Sequence, residues 1–191
     1  VIMGVNSVEE GHKIIDELKT EDQEMVFDVK ALHLDLSSLE SVRKFAKQVA
    51  KEEPKIDVLI NSGERLVGKL VITDEGFEKQ FVENYLGHFL LTHLLLDNLK
   101  AAPNGRVINV SDMLHHIGSI DFTDLNLTRE YNLFLAYARS KLAQVLFTRE
   151  LADRLRETPV TVYALNTNIW RHWKPFPEED WRHVFNISDE S

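Results

Sequence analysis

Tyr137-Ala138-Arg139-Ser140-Lys141 decides the reading of this chain, together with its continuation Leu142-Ala143-Gln144-Val145-Leu146-Phe147-Thr148-Arg149-Glu150-Leu151. The apolar spacing predicts one long helix from about Leu133 to Arg156, with the tyrosine and lysine near its start. Residues four apart share a helix face, so phenol and ammonium stand together. An ammonium there favours tyrosinate and draws a phenol pKa down from about 10 towards neutrality. A tyrosine so placed can exchange a proton with an alcohol or carbonyl oxygen. Taken alone, the four-residue spacing is more often a surface helix contact.

Outward from that helix, short apolar runs alternate with helical ones. Val1-Ile2-Met3, Val26 to Leu36, Ile56 to Ile60, Arg106 to Val110 and Val160 to Leu165 read as strands. The β-rich run at Ile56 has the composition of a buried parallel strand. Glu9 to Lys19 carries Ile14, Ile15 and Leu18 on one helical face. Ser37 or Ser38 can cap a helix that includes Val42, Phe45 and Val49. A long helix is expected from about Asp74 to Leu99, interrupted only by Gly87. Strands separated by helices imply right-handed crossovers, hence a doubly wound parallel α/β sheet of Rossmann type. The expected organisation is a core over residues 1–170 and an irregular tail over 171–191, which holds Trp173, Pro175, Pro177 and Trp181.

The chain has 191 residues, 43% apolar and 28% charged, which suits one soluble domain with a sizeable core. Thirty-one acidic residues against 22 basic give a net charge of -9. That balance, with basic residues scattered, argues against nucleic acid or anionic lipid as a partner. There is no cysteine, which removes disulfides, thiolate catalysis and cysteine-ligated zinc. The most apolar run, Phe89 to Leu96, contains Thr92 and His93 and is far shorter than the roughly 20 residues of a spanning helix. No signal peptide is legible, and a start without Met suggests a fragment or a processed chain. The expected location is cytoplasmic, with membrane attachment through a further segment left open. His115 and His116 invite a metal reading, but adjacent helix positions diverge and no third ligand is obvious.

Asn84-Tyr85-Leu86-Gly87-His88-Phe89-Leu90-Leu91-Thr92, Arg106-Val107-Ile108-Asn109-Val110-Ser111 and the Tyr137–Leu151 stretch stand in an order and spacing that resembles the short-chain dehydrogenases. Asp112-Met113-Leu114-His115-His116-Ile117-Gly118 and Phe147-Thr148-Arg149-Glu150-Leu151 resemble the retinol dehydrogenase branch. The resemblance covers about residues 1–170. It implies NADP(H)-linked hydride transfer on retinoid-like or other lipophilic alcohols and carbonyls. It also implies roles. Tyr137 exchanges the proton. Lys141 supports it and binds the nicotinamide ribose. Asn84 holds a helix kink and anchors a water beside the lysine. Asp35 contacts the adenine, with helix capping as its equal alternative, and Asn61, Ser62 and Gly63 line the cofactor. Such enzymes often dimerise through the tyrosine helix. Leu142, Val145, Leu146 and Leu151 are expected to supply mostly core-facing bulk, and together with Leu90, Leu94, Leu95 and Leu96 an apolar patch for weak homodimerisation.

The chain departs from that pattern at several cofactor and active-site elements. The family's Asn-Asn-Ala-Gly reads Asn61-Ser62-Gly63-Glu64. Its catalytic serine, the second of a Ser-Ser pair, is Asp112, with Ser111 before it. The arginine that selects the NADP phosphate matches Asn6, and the Pro-Gly after the sixth strand matches Thr167-Asn168. Two placements of the N-terminus compete. Met3-Gly4-Val5-Asn6-Ser7-Val8-Glu9-Glu10-Gly11 could be a decayed phosphate loop. Alternatively Val1-Ile2-Met3 is the family's second strand, which fits the spacing to Asp35 better. The second placement predicts a fold without its first strand and Gly-rich loop, and so a gap or re-pairing in the sheet. An enzyme of this type is one function hypothesis. A catalytically inactive remnant or isoform acting through protein contacts is the other.

Overall fold

The structure, a computed structural model, describes residues 1–21 and 28–167. Five parallel strands are found there: β1 (Ile2–Val5), β2 (Lys30–His33), β3 (Val58–Asn61), β4 (Arg106–Asp112) and β5 (Thr161–Thr167). β1 pairs with β2, Ile2 opposite Lys30, and a separate sheet runs β3-β4-β5, with Ile60 opposite Ile108 and Ile108 opposite Tyr163. Among the described residues no ladder joins β1 to β3, so the sheet is in two pieces. This is the gap expected when Val1-Ile2-Met3 is read as the second strand. The expected tail, residues 171–191, and Asn168 lie outside the described residues.

Helix α1 (Val8–Glu21) covers one face of β1–β2 and α2 (Leu39–Glu52) the other. On the α1 face Gly11 lies against Val5 and Ala31. On the α2 face Gly4 lies against Leu34 and Phe45. This alternation is what the two-residue period of a doubly covered strand demands. Ser38 caps α2, accepting from Ser41 N at 3.3 Å, as its sequence suggests. Val42, Phe45, Ala46 and Val49 of α2 are buried against Leu91 and Leu95 from the later helices, and Ile2, Leu32, Ile56 and Leu59 pack on that cluster, so one core joins the two sheet pieces.

The helix expected from Asp74 to Leu99 is instead a chain of short elements: α3 (Lys79–Phe81), a π-helical turn (Val82–Leu86), α4 (Gly87–Leu94) and α5 (Leu96–Lys100). Its start is delayed because the Glu78 carboxylate accepts from Gln80 N and Phe81 N at 2.7 and 2.8 Å, which makes Glu78 the cap. Its interruptions are the π turn around Asn84, which Gly87 closes by donating its N–H to Val82 O before α4 begins, and a second break at Leu95. The long helix α6 (Leu133–Arg154) begins where the Asn132 side chain accepts from Phe134 N and Leu135 N. It buries Phe147 and Leu151 against Leu99, Val107 and Val160.

Leu151 is a core residue, as expected for most of its group, and so is Leu95, whereas Leu94 and Leu146 are exposed. Among the described residues no helix covers the opposite face of the three-stranded sheet. Ile60, Tyr163 and Leu165 are half or more exposed, in contrast to the double covering usual for parallel sheets. Among the described residues no helix is long and apolar enough to cross a membrane.

Candidate active site

The site lies at the C-terminal edge of β3 and β4, where open α/β sheets receive ligands. α6 brings Tyr137 and Lys141 to it. Both are buried, at 0% and 1% exposure. Lys141 Nζ stands 5.3 Å from the centre of the Tyr137 ring and donates to Val110 O at 3.1 Å. Gly118 lets the chain after a 3-10 turn (Met113–Ile117) rest on α6, since a Cβ there would come within 2.5 Å of Ala138 O. Leu66 and Leu114 pack with Tyr137 and Ala138 around the phenol.

The loop after β3 supplies the third member. Glu64 Oε2 lies 2.5 Å from Lys141 Nζ and accepts from Tyr137 OH at 3.0 Å. The acidity of Tyr137 is the reverse of what its lysine alone would give. Burial pushes the phenol well above its ordinary range, and the charges of Glu64 and Asp112 and the hydrogen bond to Glu64 push the same way. Burial is the largest cause, so the phenol is held neutral against the expected draw of Lys141, and the carboxylate shared with Lys141 adds to the effect.

Asp112, the serine position, ends β4 fully buried, and its Oδ1 accepts from Leu114 N at 2.8 Å as the cap of the 3-10 turn. Ser111 faces the other way, donating to the carbonyl of Lys141 at 3.3 Å, as a one-residue step along a strand requires. Asn84 sits in the π turn. Its amide donates to Arg65 O at 2.9 Å and to Ser140 Oγ at 3.3 Å, while its Oδ1 accepts from Arg65 N at 2.7 Å. It therefore holds the Glu64 loop to α6.

Of the residues expected to line a cofactor, Asn61 is inside the core. It donates to Thr92 Oγ1 at 2.9 Å and to Asn109 Oδ1 at 2.7 Å, and Asn109 in turn donates to Thr148 Oγ1. Ser62 and Gly63 are exposed at the sheet edge. Asp35 Oδ1 accepts from Ser37 N and Ser37 Oγ at 2.9 and 2.8 Å, in the turn before α2, whose cap is Ser38. The His115 ring stacks on His116 at 4.0 Å, and its Nδ1 lies 2.7 Å from Asp112 O.

Sequence reasoning missed three features here. Glu64 was legible only as a misfit in a Gly position. His88 lies 3% exposed under the site, where burial first and the charge of Lys141 second hold its pKa down to about 4. Arg139, between tyrosine and lysine in sequence, points away from both. It forms a buried ion pair with Glu78 at 2.9 Å, lies 4.5 Å over the Phe81 ring and donates to Leu125 O.

A parallel α/β fold with a Tyr-x-x-x-Lys pair at its ligand edge defines a short-chain dehydrogenase, and residues 1–171 match the family model described as short chain dehydrogenase. The chain belongs to that family. It is similar to retinol dehydrogenase 13 of Homo sapiens, 52% identical over 144 residues that cover 75% of this chain and 44% of that protein. Retinol dehydrogenase 14 of Homo sapiens is 50% identical, covering 73% and 43%. The chain thus spans less than half the length of these relatives. Among solved structures, an uncharacterized protein from Mycobacterium paratuberculosis superposes with a TM-score of 0.73 at 39% identity, covering 87% of this chain and 57% of that one. A metagenomic short-chain oxidoreductase in complex with NADP superposes at 0.67 with 19% identity, which is likeness of fold.

The residues present do not fit a nicotinamide dinucleotide as they stand. Lys141, expected to bind a ribose, is paired with Glu64. Asn6, in the turn after β1, offers no cation to a phosphate, and α1 opens with Glu9 and Glu10.

Proposed function

We propose that this chain carries the proton-transfer centre of a short-chain oxidoreductase, with NADP(H) as hydride partner once Glu64 leaves Lys141, and a retinoid-like or other lipophilic alcohol or carbonyl as substrate. One observation carries the proposal: Tyr137 and Lys141 lie buried on one face of α6 at the C-terminal edge of β3 and β4. In this reading Tyr137 exchanges the proton with the substrate oxygen, Lys141 orients the phenol, and Asn84 fixes the loop opposite them. Asp112, where the family has its serine, can accept but not donate a hydrogen bond while ionised. The substrate class rests on likeness to the retinol dehydrogenases.

A second reading is a non-catalytic chain acting through protein contacts. It is favoured by Glu64, which occupies both working groups. The test is NADPH oxidation with retinal, paired with a calorimetric NADPH titration of the same sample. NADPH binding with turnover abolished by Tyr137→Phe establishes the first reading. Absence of both refutes the first reading. Weak self-association through the exposed Leu94 and Leu146 belongs to either reading, and sedimentation showing only monomer at high concentration would count against it.

A further inference from the structure

Glu64 has the geometry of a bound ligand more than of a loop side chain. One of its oxygens receives both the Tyr137 hydroxyl and the Lys141 ammonium, at 3.0 and 2.5 Å. Its backbone is pinned on the next residue, where Asn84 brackets Arg65 through both N and O, and the Arg65 guanidinium reaches Glu83 at 3.4 Å. Two residues further on, Val67 N donates to Gln80 Oε1 at 2.8 Å and Val67 O accepts from Tyr131 OH at 2.6 Å. The loop therefore holds the carboxylate in place without asking Tyr137 or Lys141 to do so. Lys141 is 1% exposed on its side chain and Glu64 19%, so the carboxylate is the outer member and the side from which another group would enter.

We propose that Glu64 is a tethered carboxylate that closes the Tyr137–Lys141 pair, over a pocket that takes a small free carboxylate when the tether is removed. By the oxidoreductase reading, on which this last step rests, a nicotinamide ribose or substrate oxygen has to displace it. The donors define the ligand class. A buried ammonium beside a hydroxyl offers one cationic and one neutral donor converging on a single oxygen, which a carboxylate satisfies and a chloride ion satisfies less well. Removing Glu64 leaves a buried cation without its counter-charge, the most costly way to break such a pair. An acetate ion restores both contacts and lacks only the covalent link. The misfit with a dinucleotide then has a local cause at this end of the site, because the group that would hold the ribose is held already.

The experiment compares thermal unfolding of the whole chain, Glu64→Ala and Glu64→Gln in acetate against chloride at one pH and ionic strength. Glu64→Ala should melt about 5 °C or more below the parent in chloride. Acetate should raise its melting temperature saturably, while the parent and Glu64→Gln, whose side chains fill the space, gain nothing. A Glu64→Ala protein that melts with the parent, or responds alike to acetate and chloride, overturns the proposal. Should Glu64→Ala not fold, the cycle of Glu64→Gln, Lys141→Met and the double variant decides it: non-additive losses support the contact and additive losses refute it. An NADPH titration in chloride separates the two readings. Binding about tenfold or more tighter to Glu64→Ala than to the parent supports displacement, as expected when a closed state reduces apparent affinity. Equal affinity refutes displacement. No binding to either protein refutes the oxidoreductase reading, and the acetate result still decides the tether.

Discussion

Acidification should destabilise this protein through one histidine under the site. His88 is 97% buried, with its Nδ1 3.3 Å from both Asn84 O and the Gln144 amide nitrogen. Burial first, then the nearby Lys141 charge, lower its pKa from 6.5 to about 4, against a small opposing effect of the Asn84 carbonyl. A depressed folded pKa means that the unfolded chain takes up the proton first. The stability is therefore present above pH 6.5 and lost as pH falls towards 4. With those two values, going from pH 7 to pH 5 costs the folded state about 2 kcal/mol, rising to about 3 kcal/mol by pH 4. Urea unfolding of the parent and of His88→Gln, at steps from pH 7 to pH 4.5, isolates the effect, because every other titrating group is common to both. The parent should lose about 2 kcal/mol more than the variant by pH 5. Lys141→Met should shrink that difference without abolishing it, since burial is the larger cause. Parallel pH curves for the parent and His88→Gln would refute the reasoning.

Two further outcomes are expected. Arg139→Met should lose about 3–5 kcal/mol, read as a lower urea midpoint at unchanged slope, because Glu78 is fully buried and left without its cation; a loss under about 1 kcal/mol would refute the assignment. Asp112→Ser alone should not raise NADPH-dependent reduction of retinal measurably, although a missing donor of this kind typically costs about 100- to 1000-fold in rate, because Glu64 still occupies Tyr137 and Lys141. Clear turnover in that variant would show that the serine position is the limiting defect.

Local sequence determined a good deal about this protein. The 3.6-residue period from Leu133 onward and the capping Asn132 define α6, and four residues of spacing suffice to put Tyr137 and Lys141 on one face. Ser38 announces α2, and the β-rich runs at β3, β4 and β5 are local patterns that survive folding. What failed locally was decided by distant partners. The helix expected from Asp74 waits for the Glu78 carboxylate, whose burial is made tolerable by Arg139, 61 residues away. Asp35 could be read as a cap or as an adenine contact, and only the turn geometry puts its oxygen on Ser37. Which strands pair is likewise tertiary: the runs are legible one by one, but the gap between β1 and β3 is a property of the sheet. The state of the reaction centre was the least legible. Spacing on α6 argues for an acidic phenol, yet burial raises it, and Glu64, 73 residues earlier, meets it in space and adds to the rise. Periodicity encodes which residues share a face. A pKa depends on every charge within a few ångströms and on the water excluded around it, and the chain path alone sets both.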